Sequence, residues 1–205
     1  MKENPFFPEI HGNFGFGCMR LPMNGEEVDL PQFTRMVDEF LAAGFNYFDT
    51  ATVYIGGKSE TALREALTKR YPRDRFVFTN KLSGPLFEKE EDIRPLVERQ
   101  LESCGLDYFD FYLMHSQHAG NYEKYKACKA YETAFQLKAE GKLRHVGISF
   151  HDTTRCWTGS SPSSPAWRWS SSSSTTWTTR MSGSRAGSAT KSVRSMASRC
   201  WSWSQ

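Results

Sequence analysis

The sequence predicts an α/β fold with a parallel sheet over residues 1–153 and a disordered or irregular tail over residues 154–205. In the first segment, short apolar runs alternate with stretches of helical period, which is the pattern of βα units. The second segment contains all six Trp residues of the chain and no Asp, Glu, Leu, Ile, Phe or Tyr. Because the tail has so little aliphatic surface for a hydrophobic core, its composition favours disorder.

Three strands and two helices are predicted in the first half of the α/β segment. The strands are the apolar runs at residues 13–17, 45–48 and 75–79. The first helix has apolar side chains at spacings of three and one residues, which places them on one face, and Gly44 can end it. The second helix, at residues 59–70, repeats this pattern. The apolar positions are Phe33, Met36, Val37, Phe40 and Leu41 in the first helix and Ala62, Leu63, Ala66 and Leu67 in the second.

Two further helices and two further strands complete the predicted pattern. The third helix has Pro95 near its first turn, where proline is tolerated, and Gly105 as its stop signal. Its predicted core face is formed by Ile93, Leu96, Val97, Gln100, Leu101 and Cys104. The fourth strand is predicted at residues 108–114, the fourth helix at 125–140 and the fifth strand at 145–149.

The polar residues at the strand ends distinguish between two α/β architectures. Five strands and four helices fit either a (β/α)₈ barrel or a doubly wound sheet, and periodicity alone does not separate them. Four successive strands each end at a different polar residue. The carboxyl ends of the strands are where a barrel gathers its catalytic groups. These residues are Asp49, Lys81, His115 and Ser149. A complete barrel typically needs about 250 residues, so we predict an incomplete (β/α)₈ (TIM) barrel of about five βα units.

The segment around the second strand end resembles a known family motif. Residues 49–54, Asp-Thr-Ala-Thr-Val-Tyr, followed by Gly57 and Ser59-Glu60, resemble the segment D-T-A-x-x-Y-G-x-S-E of the aldo/keto reductase family, with an insertion before Ser59. The resemblance continues in order along nearly all of residues 1–153. Further matches are Gly17-Cys18-Met19-Arg20, Lys81, Leu113-Met114-His115 and Gly-Lys-Leu-Arg-His-Val-Gly-Ile-Ser at residues 141–149.

The resemblance implies a role for each of four side chains. Tyr54 would be the general acid in the reduction of an aldehyde or ketone. A phenol with a pKa near 10 is a poor proton donor at neutral pH, so it needs a nearby ammonium such as that of Lys81. Asp49 would hold Lys81 charged and in place. His115 would donate a hydrogen bond to the carbonyl oxygen of a small substrate as negative charge develops there.

The resemblance also implies a nicotinamide cofactor, NADP or NAD, as the source of hydride. The residues that would lie against the cofactor are Gly17, Met19, Arg20, Asp49 and Ser149. Family members usually continue Ser149 with Asn, whereas Phe150 and His151 follow here, a departure at one contact to the carboxamide.

Charge and composition exclude several other classes of function for residues 1–153. The chain has a net charge of +3, and seven of its Lys and Arg residues but no acidic residue lie in the tail, which leaves −4 for residues 1–153. An acidic body has no electrostatic footprint for nucleic acid. The start of the chain lacks the apolar run of a signal peptide, and no later stretch could span a membrane, so we expect a cytoplasmic location. The pattern does not specify an oligomeric state.

No metal site is expected from the cysteines and histidines. The five cysteines are widely spaced without a C-x-x-C pair, so we expect reduced, mostly packed thiols. His115, His118 and His151 contain no helical pair at a spacing of four, the pattern that would favour zinc.

The tail is interpreted as the product of a shift in reading frame. With the Trp and Met codons fixed and the Ser, Thr and Arg codons chosen, reading residues 169–181 from the third base of each codon gives Val-Gln-Leu-Gln-Leu-Asn-Tyr-Leu-Asp-Tyr-Glu-Asp. This string resembles the sixth strand of the family and the loop after it. The same shift can give Leu-Val-Met-Glu-Pro from residues 200–205, which resembles the seventh strand, and Val-Leu-Asp-Arg-Ile from residues 155–160.

On this hypothesis the chain is truncated and lacks strands six to eight of the barrel with their loops. The fifth strand would keep an unpaired edge and the first would lose its neighbour, so we expect weak cofactor binding and little or no turnover. The alternative hypothesis is a non-enzymatic remnant or binding module. In that case the basic, aromatic tail would contact nucleic acid or acidic partners.

Overall fold

A computed structural model of the chain describes residues 7–151, 174–177 and 202–203. The strands are β1 (Gly15–Gly17), β2 (Met23–Asn24), β3 (Glu27–Val28), β4 (Tyr47–Asp49), β5 (Val77–Leu82), β6 (Phe109–Gln117), β7 (Leu143–Phe150), β8 (Ser174–Trp177) and β9 (Ser202–Trp203). The α-helices are α1 (Leu30–Ala42), α2 (Lys58–Leu63), α3 (Ile93–Cys104), α4 (Ala119–Ala127) and α5 (Ala130–Ala139). A π-helical turn, Arg64–Thr68, extends α2.

The main sheet has the strand order of a barrel. Among the described residues its strands follow the order β1-β4-β5-β6-β7-β8-β9, and every neighbouring pair is parallel. Each strand is therefore added beside the previous one, whereas a doubly wound sheet reverses direction at a switch point. Strands β2 and β3 form a separate antiparallel pair. This order confirms the prediction of an α/β fold with consecutive βα units.

The strands bury apolar side chains on both faces of the sheet. Phe48, Phe78 and Tyr112 belong to the large cluster that includes the helices. Their chain neighbours Tyr47, Val77 and Phe111 lie on the opposite face, in a smaller cluster with Ile10. Side chains alternate between faces along a strand, so a strand that is apolar at successive positions must be covered on both sides. Six buried residues of β4, β5 and β6 show this alternation: Tyr47, Phe48, Val77, Phe78, Phe111 and Tyr112.

The first and third helices occur where the apolar spacing predicts them. Asp29 caps α1, since its Oδ1 accepts a hydrogen bond from the Gln32 N–H at 2.9 Å. The third helix runs over Ile93–Cys104, the predicted range, and ends at Gly105, whose φ of 66° is left-handed. A glycine adopts this conformation without the penalty that a Cβ would bring.

The prediction of one fourth helix over residues 125–140 is wrong. The structure has two helices there, α4 and α5, separated at Cys128 and Lys129. Lys129 has a φ of 48° and cannot continue a right-handed helix. A tertiary contact stabilises the break between the two helices. The Cys128 thiol is buried and lies 3.2 Å from the Glu88 carbonyl oxygen, which can accept its hydrogen bond. Residues 121–124, before the predicted start, lie inside α4.

The predicted disordered tail falls mostly outside the described residues. Its described parts are β8 and β9, and both lie in the main sheet. Ser174–Trp177 pairs with β7 from Val146 to Ser149, so the expectation that the fifth strand of the barrel keeps an unpaired edge is wrong. At the other edge, β1 pairs with β4 alone within the described ranges. None of the described helices is long and apolar enough to cross a membrane.

Candidate active site

The carboxyl ends of neighbouring strands bring the predicted polar residues to one edge of the sheet. Gly17 of β1 lies opposite Asp49 of β4, and Asp49 lies opposite Thr79 of β5. Lys81 follows two residues later on the same face as Thr79. His115 stands near the end of β6, and Ser149 near the end of β7.

Lys81 and Asp49 form a buried ion pair. The Lys81 Nζ lies 2.6 Å from the Asp49 Oδ1 and also donates to the Thr50 carbonyl oxygen at 2.8 Å. The Lys81 side chain is 1% exposed and that of Asp49 is 18% exposed. A buried ammonium is stable only when it is paired and hydrogen-bonded. Asp49 therefore holds the Lys81 ammonium at the end of β5.

Tyr54 begins the short turn Tyr54–Gly57 that follows β4. Its ring centroid lies 4.9 Å from the Lys81 Nζ. Burial raises the pKa of the Tyr54 hydroxyl, while the charge and hydrogen bond of Lys81 lower it. Burial is the larger influence in the free protein, so Lys81 offsets a rise in pKa rather than producing a net fall.

The backbone after Tyr54 is left-handed for three successive residues. The φ values are 50° at Ile55, 61° at Gly56 and 91° at Gly57. The two glycines adopt this region freely, whereas a β-branched residue such as Ile55 is strained there. Ile55 packs against the main hydrophobic cluster, and this contact favours the strained turn.

His115 faces Tyr54 from the next strand but one. The two rings meet edge to face, with centroids 5.7 Å apart and an angle of 80° between the ring planes. Burial, and then the positive charges of Lys81 and His151, lower the pKa of His115 to about 4. A neutral His115 at pH 7 can donate one hydrogen bond to a carbonyl oxygen but does not carry a spare proton.

A β-bulge near the end of β6 affects the direction of the His115 side chain. The register with β7 shifts between Met114 and Gln117, and Ser116 has a φ of 53°. The Asn121 side chain stabilises the bulge, because its Nδ2 donates to the Ser116 carbonyl oxygen at 2.9 Å. Bulges of this kind redirect a side chain at the end of a strand. This bulge could not be predicted from the sequence, because the residue with the positive φ, Ser116, is not a glycine.

Tyr125 joins the ends of β5 and β6. This tyrosine of α4 is fully buried, and its hydroxyl lies 2.7 Å from the Leu82 carbonyl oxygen and 3.1 Å from that of His115. The ladder between β5 and β6 ends at Leu82 and Met114. The phenol therefore continues the connection one residue further, beside Lys81 and His115. The apolar spacing of this segment placed Tyr125 in a helix but gave no signal for the contact.

The loop after β1 is held by a chain of hydroxyl groups. The Cys18 N–H donates to the Asp49 carbonyl oxygen, and the Ser59 hydroxyl donates to the Cys18 carbonyl oxygen, each at 2.8 Å. Because the Ser59 hydrogen is used in this way, the Thr50 hydroxyl donates to Ser59 Oγ at 2.7 Å. Cys18 is buried as expected of a packed thiol, whereas Met19 is 57% exposed.

The predicted cofactor residues occupy different surroundings. Gly17, the last residue of β1, and Met19 and Arg20, on the loop after it, are exposed. Asp49 is engaged by Lys81, and Ser149 is buried with its Oγ 3.1 Å from the His151 Nε2. The described ranges contain no group of three His, Cys, Asp or Glu residues placed to hold a metal ion.

Comparison with known proteins identifies the family. A sequence model described as the aldo/keto reductase family matches residues 13–157. The chain belongs to the aldo/keto reductase family. The match covers the turn of Tyr54 and all four strand ends that carry polar site residues, so the aldo/keto reductase resemblance read from the sequence is confirmed. The fold prediction is confirmed by solved aldo/keto reductases.

Several aldo/keto reductases resemble the chain over part of their length. An NADH-specific methylglyoxal reductase of Escherichia coli (strain K12) is 33% identical over 133 residues, which cover 55% of this chain and 40% of that protein. A holo-form structure from Bacillus halodurans has 30% identity and a TM-score of 0.54 and covers 67% of this chain and 46% of that one. A Klebsiella pneumoniae structure in complex with NADP and acetate has 25% identity and a TM-score of 0.59, covering 80% and 53%. The chain spans less than half the length of the curated relatives it matches.

Proposed function

We propose that residues 1–153 carry the acid–base site of an NAD(P)H-dependent reductase of small aldehydes or ketones. The observation that carries this proposal is the buried Lys81–Asp49 ion pair, 2.6 Å long, beside the ring of Tyr54. Nothing in the packing of a barrel requires an ammonium that is 1% exposed. A lysine in this position acts on the proton affinity of its neighbour, and that neighbour is a phenol.

Tyr54 is the general acid of the proposed reaction. NAD(P)H, when bound, supplies hydride to the carbonyl carbon. Tyr54 gives its proton to the carbonyl oxygen, and Lys81 stabilises the phenolate that remains. His115 has a pKa of about 4, so it contributes a hydrogen bond from the neutral ring rather than a proton. Asp49 keeps Lys81 in position through both states of Tyr54.

The residues near β1 fit a cofactor lying across the strand ends. Within the described residues, a Cβ added to Gly17 would meet no heavy atom within 4 Å, so a ligand has open space beside Asp49. Arg20 is exposed on the same loop and can meet a phosphate. Gly17, Met19, Arg20, Asp49 and Ser149 are the residues proposed to hold the cofactor. Both forms stay candidates, since one relative is named NADH-specific and one solved relative contains NADP.

We also propose that the coding frame shifts near residue 153 and that the chain has low or no activity for that reason. Two observations support this: the family match ends at residue 157, and the last acidic residue, Asp152, and the last Leu or Ile, Ile148, lie just before that point. Sequencing the coding DNA around codons 150–156 tests the proposal. An intact single frame with no family-like reading in another frame would contradict it and favour a binding module with a genuine basic tail.

The activity is tested on the chain and on a frame-restored version. We expect the restored protein to oxidise NADPH or NADH in the presence of methylglyoxal, a probe chosen from the named substrate of one relative. The chain as given should show little or no oxidation, because the barrel residues after the fifth strand are replaced. Absence of carbonyl reduction by the folded, restored protein with several small aldehydes would contradict the proposed function.

A further inference from the structure

One nitrogen of the His115 ring has a defined partner on the neighbouring strand end. The Ser83 Oγ lies 2.7 Å from the His115 Nδ1. Ser83 directly follows β5 and stands two residues after Lys81. It is 2% exposed. The contact joins the end of β5, which carries Lys81, to the end of β6, which carries His115.

The hydrogen of this contact can be assigned from its surroundings. Among the described residues, His115 Nδ1 is the one hydrogen-bond partner of Ser83 Oγ. If Nδ1 carried the hydrogen, Ser83 would accept it and its own buried O–H would have no protein acceptor. An unsatisfied buried group of this kind costs about 1–3 kcal/mol. The hydroxyl therefore donates to Nδ1.

We propose that Ser83 is a positioning residue that fixes His115 in the tautomer with its hydrogen on Nε2, where it can be donated to a substrate carbonyl oxygen. A neutral imidazole has one N–H group, so an Nδ1 that accepts requires an Nε2 that donates. The ring is neutral at pH 7, since burial and Lys81 lower its pKa to about 4. The tautomer is inferred from contacts of this chain, whereas a substrate carbonyl as the hydrogen-bond acceptor rests on the proposed function.

The backbone at His115 and at the residue after it is fixed independently of the ring. Tyr125 contacts the His115 carbonyl oxygen at 3.1 Å, and the Asn121 side chain holds that of Ser116. These contacts keep the main chain in place without touching the ring nitrogens. Ser83 is therefore the described contact that selects between the two tautomers, and its removal should change the tautomer more than the fold.

The experiment is a two-bond ¹H–¹⁵N correlation spectrum of the full ¹⁵N-labelled chain at pH 7. For His115 we expect Nδ1 at the downfield position of an acceptor nitrogen and Nε2 at the upfield position of an N–H nitrogen. In Ser83→Ala the two shifts should move toward each other, because both tautomers become populated. Ser83→Thr retains a hydroxyl and suits the extended backbone there, with φ −95° and ψ 123°, so it should restore the original shifts.

Signals of His145, which binds Glu9 at 2.8 Å in another part of the sheet, report whether each variant is folded. An upfield Nδ1 in the original chain overturns the proposal without any variant. Unchanged His115 shifts in a folded Ser83→Ala also overturn it. The measurement needs no turnover, so a failed tautomer prediction and a failed carbonyl-reductase activity are separate results.

Discussion

At the scale of single residues, opposing effects of burial and charge define the chemistry of the site. Burial makes the phenol of Tyr54 a weaker acid, and the ammonium of Lys81 opposes that effect. The same ammonium, together with burial, keeps His115 neutral. In the proposed mechanism, this one cation assigns proton transfer to the tyrosine and leaves the histidine as a hydrogen-bond donor. The roles follow from where Lys81 is held, which is decided by Asp49 and the Thr50 carbonyl.

Replacing Lys81 by methionine should raise the pKa of Tyr54. The methionine fills most of the volume but removes the charge and the hydrogen bond that lower this pKa. The titration of Tyr54 can be followed by the ¹³C chemical shift of its labelled ring carbon. Lys58→Met is the matched control, because it removes an exposed lysine paired with Glu27 at the surface. An equal Tyr54 titration in the original chain and Lys81→Met would contradict the proposed role.

Replacing Glu60 by glutamine should weaken the dependence of stability on pH. Glu60 is 3% exposed, and burial raises its pKa above the usual 4.5 despite hydrogen bonds from Asn80 and Thr52. The folded state therefore holds this proton more tightly than the unfolded state. Its contribution is present below pH 4.5 and is lost as the pH rises through the raised pKa.

Urea unfolding from pH 4 to pH 8 measures this dependence for Glu60→Gln. We expect the variant to lose less unfolding free energy over that range than the original chain does. Glu65→Gln is the control, since Glu65 forms an exposed pair with Lys69. If Glu60→Gln and the original chain had the same pH profile, the proposed protonation of Glu60 would be wrong.

At the scale of elements, the site depends on contacts made where the strands stop pairing. Beyond Leu82 and Met114 the ladder between β5 and β6 ends, and two side chains take over. Ser83 contacts the His115 ring, and Tyr125 contacts the carbonyl oxygens of Leu82 and His115. Lys81 and His115 are thus held at fixed separation by α4 as well as by the sheet. A helix outside the sheet contributes to the geometry of a site at its edge.

Tyr125→Phe should destabilise the fold and loosen this edge. It removes the hydroxyl whose single hydrogen lies between the carbonyl oxygens of Leu82 and His115, and an acceptor left unsatisfied in the interior costs about 1–3 kcal/mol. Urea unfolding measures the loss, and faster hydrogen exchange near residues 82–84 and 115–117 locates it. Tyr108→Phe is the control, because Tyr108 acts through its ring, which stacks between the guanidinium groups of Arg73 and Arg144. Equal stabilities of the two variants would contradict the role given to Tyr125.

At the scale of the whole molecule, the sequence predicts features that recur with regular spacing along the chain. It does not predict tertiary contacts that a single residue makes once. Apolar runs recur with regular spacing, so the order of strands and helices and the polar strand ends could be read directly. The break at Lys129 and the bulge at Ser116 could not, because non-glycine residues adopt left-handed conformations there under tertiary constraint. Ser83 and Tyr125 gave no signal either, since one buried hydrogen bond leaves no periodic pattern.

The site residues could be predicted more fully than the residues that hold them in place, because the site residues lie in recognisable motifs. Asp49, Tyr54, Lys81 and His115 lie in motifs that resemble one family, and the structure brings them together at one edge of the sheet. The expected open edge of the fifth strand was wrong, because pairing in a sheet uses backbone groups and does not require the family's side chains.

The most direct measurement compares Tyr54→Phe with Tyr71→Phe in the frame-restored protein. Tyr71 is a partly buried tyrosine whose hydroxyl donates to Asp38 at 2.6 Å, and it lies before the start of β5, whereas the site residues lie at the carboxyl ends of the strands. With saturating NADPH or NADH and methylglyoxal, kcat should fall by about 10²–10⁴-fold in Tyr54→Phe, the range typical of a lost general acid, and stay near the original value in Tyr71→Phe. A Tyr54→Phe variant that keeps full kcat would contradict the assignment of Tyr54 as the proton donor.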